Sequence, residues 1–309
     1  MAIPSAVDKG HSRERPKRRR LQQKDWVPYV FLAPALFYLV VFFLAPIGFS
    51  LYLTFTRWNP LSNPEWIGFE NYNYLLTRDP RFYGTLRNTF VFAFGSVLIG
   101  IPISLVLAFL FTISRWKALW RSLYWLPMVT NIVAIAYIWG YLLDGTYGLF
   151  NKVLLLFGIV GPQWLKEPST AMIAVIIVAV WTSLGQNMLV FSAGLEGIDE
   201  SFYEAARIDG ASNPQIFWGV TLPLLRPTLL FVSITSFIGA MSSFALILVL
   251  TLGGPAQSTN VTSLYLYQMA FQDLRMGRAS ALAFILFVII FIMTLIQLRI
   301  FRRGGVEAY

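Results

Sequence analysis

The residues of this chain able to do covalent or redox chemistry are few. Its 309 residues include no cysteine, which removes thiolate nucleophiles, disulfides and sulfur-ligated metals. The one histidine, His11, lies in the basic stretch KGHSRERPKRRRLQQK, where it reads as a solvated side chain. A Ser-His-Asp triad or a histidine zinc site therefore has no partner residues to draw on, and no enzyme is expected. No G-x-x-x-x-G-K-[ST] loop occurs either, so the chain carries no phosphate cradle for ATP. The polar chemistry that remains is concentrated in EAARIDGASNPQIFWGVTLPLLRP, Glu204 to Pro227. It holds two acids, two arginines and three prolines between two of the most apolar runs in the sequence.

Those runs determine what positions the segment. With 57% hydrophobic and 13% charged residues, the chain is too apolar for a soluble domain and reads as an integral membrane protein. Long windows free of charge extend over Trp26 to Thr56, Asn88 to Ser114, Ser122 to Leu143, Pro168 to Leu195, Pro227 to Gln272 and Ala279 to Leu298. Each holds the roughly 20 apolar residues a spanning helix needs. In the window from Pro227, Gly253, Gly254 and Pro255 stop the helix near Leu252, so six spans are expected. Val153 to Leu165 is shorter, broken by Gly158, Gly161 and Pro162, and reads as interfacial or re-entrant.

Six spans place both termini on one side. Two thirds of the 24 lysines and arginines then fall on the termini and the even-numbered loops, which puts both termini in the cytoplasm. Residues 1–25 form a basic cytoplasmic tail suited to anionic lipid rather than nucleic acid, and residues 26–309 form the membrane domain. The first apolar run is too long for a cleaved leader and lacks a small-x-small site.

Loop 196–226 is thereby cytoplasmic. Glu200 to Asp209 reads as a short helix with Gly210 as its left-handed cap. Asn213 and Pro214 read as the cap and first turn of a second helix, running to about Val220 before Pro223 and Pro227 redirect the chain. Small Ala205 and Ala206 allow another surface to approach, and Glu204 and Asp209 offer charge for pairing. A loop that merely turns the chain would also contain short helices. The spans themselves carry no acid or histidine, which argues against a proton-coupled carrier. An ion-coupled secondary transporter holding sodium on carbonyls and hydroxyls is the alternative transport class.

EAARIDGAS followed by VTLPLLRP resembles the EAA signature of membrane subunits of binding-protein-dependent ABC importers. Glu204, Ala205, Ala206, Gly210, Leu222 and Pro223 match it, and Val220 stands where isoleucine is usual. FLAPALFYLVVFFLAPIGFSLYLTFTRW, WIGFENYNYLLTRDPRFYGTLRNTFVF, LYWLP, YGLFN, LTLGGP and YQMAFQDLRMGRASALAFIL extend the resemblance from Trp26 to Phe301, and specifically to the carbohydrate-uptake branch. FLAPALFYLVVFF and LTLGGP look like the first-type member of a permease pair.

The resemblance implies an all-α, six-helix type I ABC importer domain whose loop 196–226 is a coupling element. In that family the loop docks into a groove on a cytoplasmic ATPase, so that ATP-driven closure moves the spans between inward-open and outward-open states. By carry-over Glu204, Ala205, Ala206, Asp209 and Gly210 form the docking unit, with Leu222 and Pro223 completing the motif. It further implies a second, different permease subunit, two ATP-binding cassette subunits that hold ATP and Mg²⁺ with no cofactor in this chain, and an extracytoplasmic solute-binding protein. The setting is a prokaryotic inner membrane, and the cargo a sugar, an oligosaccharide or a related polyol such as glycerol 3-phosphate. Cargo-facing positions fall on Thr182, Ser183, Gln186 and Asn187 in the fourth span, then Ser236, Gly239, Ala240, Ser243 and Phe244 in the fifth, with Asn131 in the third as a further candidate. Amides and hydroxyls suit a neutral polyol, and an aromatic ring stacks on a sugar face. These polar side chains would equally join helices by hydrogen bonds. The outer loops, Arg57 to Arg87 and the stretch after the third span, mix aromatic, amide and charged residues. That mixture suits either a binding-protein surface or an aromatic interface belt.

Overall fold

A backbone inside a bilayer has no water to bond, so each apolar window must close its own hydrogen bonds as a helix. In the computed structural model, which describes residues 27–112 and 114–303, the windows do so; the basic tail lies outside the described residues. The chain divides into two compact units at Phe49 and Ser50. The first contains α1 (Val27–Leu39), a π-turn at Val40–Leu44 and the start of α2 (Ala45–Thr54). Together they supply an apolar helix long enough to cross a membrane, Pro28–Thr54.

The second unit opens with a small antiparallel hairpin, β1 (Thr56–Arg57) against β2 (Glu65–Trp66), with Thr56 opposite Trp66. After α3 (Glu70–Thr77) comes α4 (Phe82–Thr112), the longest span. Then follow α5 (Lys117–Val129), α6 (Ile132–Leu142), the short α7 (Leu149–Leu156) and a second long span, α8 (Pro168–Glu196). The connecting segment contains α9 (Glu200–Ile208), α10 (Asn213–Ile216), a π-turn at Phe217–Thr221 and α11 (Leu222–Leu224). The chain ends with α12 (Arg226–Met241), α13 (Ala245–Leu250), α14 (Thr262–Tyr267), a π-turn at Gln268–Gln272 and α15 (Met276–Arg303). Among the described residues four helices are long and apolar enough to span, and the number reaches six where each of two bent pairs counts as one span.

The first bend departs from the straight helix expected, while the second falls between Pro223 and Pro227, where the sequence redirects the chain. The third span breaks by 106° between Val129 and Ile132. Thr130 is extended, and the Asn131 side chain accepts a 2.8 Å hydrogen bond from the Val133 amide, so Asn131 starts a new helix instead of continuing the old one. The loop helix Asn213–Leu224 and α12 meet at 66° across Leu225. Pro223 does not end the loop helix: the π-turn at Phe217–Thr221 carries the chain into α11, with Pro223 in its first turn, where a missing amide proton costs nothing. The fifth span also breaks at Ser242–Phe244, earlier than the stop near Leu252.

Between membrane helices the attraction is packing rather than escape from water, so small residues set how close the backbones come. Gly185 of α8 is the sharpest case: a Cβ there would sit 1.9 Å from the Tyr124 carbonyl oxygen of α5. Phe92, Ile135, Trp139, Val175, Val178, Ile247 and Leu264 fill the core joining α4, α6, α8, α13 and α14. A second core, with Leu105, Ala108, Met188, Phe191, Leu195, Leu225 and Val232, ties the later halves of α4 and α8 to the start of α12.

Candidate functional site

A cavity of about 440 Å³ lies between α4, α8 and α12, with Ile132 of α6 and Ala245 and Leu246 of α13 completing its lining. α8 presents Thr182, Ser183, Gln186 and Asn187, two polar pairs one helical turn apart. α12 and the break after it present Ser236, Gly239, Ala240, Ser243 and Phe244. The third wall is α4, through Phe92, Ser96 and Val97. All nine of the expected positions on the fourth and fifth spans therefore line one space.

The polar groups differ in how far they are already engaged. The Thr182 hydroxyl donates to the Ala179 carbonyl at 2.8 Å and the Ser183 hydroxyl to Val180 at 2.9 Å, both within α8. Asn187, 7% exposed, accepts from the Ser236 hydroxyl at 3.3 Å and so joins α8 to α12. Gln186 is exposed to the cavity with no hydrogen-bond partner among the described residues, and the buried Ser96 hydroxyl likewise has none. Phe244 stacks on Tyr267 of α14 with ring centroids 5.6 Å apart, which fixes one aromatic face at the rim. Around Gly239 a Cβ would meet nothing within 4 Å, so the missing side chain is free volume.

The structure does not bring Asn131 into this space: its amide is occupied in capping α6, while its neighbour Ile132 lines the wall. Sequence reasoning missed Ser96, Thr235 and Ser242. Ser96 had a legible signal, a hydroxyl in an otherwise apolar stretch of span, four residues after Phe92 and so on the same helix face.

The second candidate site is the segment after α8. α9 begins at Asp199, whose carboxylate accepts from the Ser201 amide at 2.8 Å. The Ser201 hydroxyl, and after it that amide, hold the Asp199 carboxyl below the usual range. The helix ends in a Schellman turn: the Ala211 amide donates to Ala206 and the Gly210 amide to Arg207, at 3.0 and 3.1 Å. This requires Gly210 at φ +78°, the expected left-handed position. It also explains the spacing of the motif, because Ala206 supplies the carbonyl that the glycine turn closes onto. The second helix is capped by Ser212 rather than Asn213; the Gln215 side chain accepts from both the amide and the hydroxyl of Ser212.

The exposed side of this unit carries Glu204, Ala205 and Asp209, while Ala206 is half-buried. Ile208, between the charged residues, is 85% exposed. Leu222 is different: it packs on the core formed by Leu105, Met188, Phe191 and Leu225. Thus Glu204 to Gly210 form the free end of a lever, and Leu222 and Pro223 lie where it joins the spans.

Residues 81–304 match the family described as binding-protein-dependent transport system inner membrane component. The chain is 35% identical over 289 residues to the probable ABC transporter permease protein YesP of Bacillus subtilis, covering 91% of this chain and 92% of that protein. It is 30% identical over 302 residues to the arabinooligosaccharides transport system permease protein AraP of the same organism, covering 96% and 94%. Its fold is shared with a chain in the crystal structure of a bacterial ABC transporter involved in the import of the acidic polysaccharide alginate. There the TM-score is 0.78 at 24% identity, over 92% of this chain and 97% of that one.

Proposed function

Because the chain belongs to the family of binding-protein-dependent transport system inner membrane components, we propose that it forms half of the path through a carbohydrate importer. The observation that carries this reading is the convergence of amides, hydroxyls and one fixed aromatic face on a single cavity. A cavity of this size lies in the range of small-molecule sites. Its neutral lining suits a polyol, and the AraP relative and the alginate transporter handle saccharides by name.

In this reading Gln186 and Ser96 are the free hydrogen-bonding groups met by sugar hydroxyls, Phe244 is the stacking face, and Asn187 with Ser236 holds the two walls in register. Glu204, Ala205, Ala206, Asp209 and Gly210 dock on a cytoplasmic ATPase. Leu222 and Pro223 pass its movement to α4, α8 and α12. The complex contains a second, different permease chain, two ATPases that hold ATP and Mg²⁺, and an extracytoplasmic binding protein. Both termini lie in the cytoplasm of a prokaryotic cell.

The test is ATP hydrolysis by the complex purified with its partner chains, reconstituted with the binding protein and offered mono- and oligosaccharides and glycerol phosphates. One saccharide should raise the rate, and Glu204→Arg should abolish that rise while the complex stays assembled. An intact complex that no saccharide stimulates would overturn the carbohydrate assignment. Full stimulation in Glu204→Arg would overturn the docking role.

A further inference from the structure

α14 contributes no residue to the lining of the α4–α8–α12 cavity, yet it grips that lining at two points. The Ser263 hydroxyl donates to the Ser243 carbonyl at 2.6 Å. The Tyr267 ring stacks on Phe244, with centroids 5.6 Å and planes 24° apart. Ser243 and Phe244 both line the cavity and lie in the break between α12 and α13. A carbonyl at such a break has left the helical ladder, so in a bilayer it needs a donor from another element. Ser263 and Tyr267 are four residues apart, which puts both grips on one face of α14.

Other residues of the same helix fasten it to the scaffold. Thr262 exchanges two contacts with Thr89 of α4: its amide donates to the Thr89 hydroxyl at 2.8 Å, and the two hydroxyls lie 3.0 Å apart. The Tyr265 hydroxyl donates to buried Asp79 at 2.7 Å, and the Arg81 guanidinium covers the Tyr265 ring 4.5 Å from its centroid. Beyond the π-turn the chain is held again. A Cβ on Gly277 would sit 2.0 Å from the Thr56 carbonyl oxygen, and buried Asn71 donates to that same carbonyl at 2.8 Å. α14 is therefore a bracket: Thr262 and Tyr265 bolt it down, and Ser263 and Tyr267 hold what it supports.

We infer that Ser263 and Tyr267 are positioning residues for transport, which fix the Ser243–Phe244 break so that the Phe244 ring is presented to the face of a sugar. The inference rests on the carbohydrate reading of this cavity. Phe244 is 36% exposed, and Tyr267 backs its ring from outside the lining. A ring fixed in advance spares cargo the cost of ordering it. The aromatic pair and the hydrogen bond each contribute enough to change a binding ratio by about two- to tenfold.

The experiment places the complex, with its partner chains and binding protein, in proteoliposomes and measures uptake and ATP hydrolysis together for radiolabelled mono- and oligosaccharides. Tyr267→Leu and Ser263→Ala should each lower the sugar taken up per ATP hydrolysed by about two- to tenfold, with hydrolysis driven by loaded binding protein unchanged. Tyr267→Phe keeps the ring and should transport as wild type does. If Tyr267→Leu fails to assemble, Ser263→Ala, which removes a single oxygen atom, carries the same measurement. Wild-type uptake per ATP in the assembled variants overturns the inference. So does a fall in uptake and hydrolysis together, which would make α14 a structural support only, or a Tyr267→Phe as impaired as Tyr267→Leu. If no saccharide enters through the wild-type complex, the carbohydrate reading itself fails, a result distinct from these.

Discussion

Gly210 offers a test of the lever in which backbone strain is separated from crowding. Its φ of +78° is a conformation that L-residues rarely adopt, yet a Cβ built there would meet nothing within 4 Å. Gly210→Ala therefore adds no clash and only the cost of the left-handed region, about 1–2 kcal/mol. That corresponds to roughly a 5–30-fold fall in the ratio of closed to frayed turns. Asparagine tolerates this region better, and valine worse. Proline is incompatible twice, since its φ is fixed near −65° and it lacks the amide that donates to Arg207. Activity should fall in the order Gly, Asn, Ala, Val, Pro. The assay is binding-protein-stimulated ATP hydrolysis at fixed complex concentration, with co-elution of the ATPase as a second readout. Stimulation and co-elution should decline together, because the strain acts on the docking helix. Equal activity across Asn, Ala and Val would refute the claim that the closed turn is needed. Lost stimulation with the ATPase fully retained would place the defect elsewhere.

Three further outcomes follow from other features. Gly185→Ala drives a methyl group into the Tyr124 backbone, so overpacking of about 1–3 kcal/mol should lower the thermal midpoint of the purified complex; a melting curve identical to wild type would show that α5 and α8 separate freely. Gly239→Phe places a ring in free volume, so the complex should assemble and hydrolyse ATP while radiolabelled saccharide uptake is lost; normal uptake would remove this cavity from the path. The Asp199 carboxyl is held below its usual range, so its capping of α9 is fully present at neutral pH and lost as pH falls through that lowered value; hydrogen exchange over residues 199–209, corrected for intrinsic rates, should rise on acidification in wild type but not in Asp199→Asn, which caps without titrating.

Much of the architecture was legible because it depends on local rules. Six spans follow from apolar length, and Gly210 as the end of α9 follows from its unique freedom at positive φ. The nine cavity positions on α8 and α12–α13 became legible through family resemblance, since hydroxyls in a span serve packing as readily as cargo. The corner in the third span was not legible. Asn131 looked like a polar side chain within a span, and only the extended Thr130 before it converts that amide into a cap at a 106° corner. Pro223 looked like a stop, but the π-turn at Phe217–Thr221 shifts the register so that it begins α11. Asn213 and Ser212 are both good caps by type, and Gln215 decides between them by placing its side chain over the Ser212 amide. The wall from α4 was hidden because Phe92, Ser96 and Val97 carry no marker beyond one hydroxyl.

Gly277 has a use beyond the bracket it steadies. Thr56, Asn71 and Gly277 come from three separate elements, yet they are locked by hydrogen bonds and by an approach that excludes any side chain. They therefore travel as one piece. For spectroscopists following an alternating-access cycle, this knot is a fiducial: labels on the hairpin and on the first turn of α15 should keep a constant separation. Displacements of α9, α12 or the corner at Asn131 can then be measured against a mark that belongs to the chain itself.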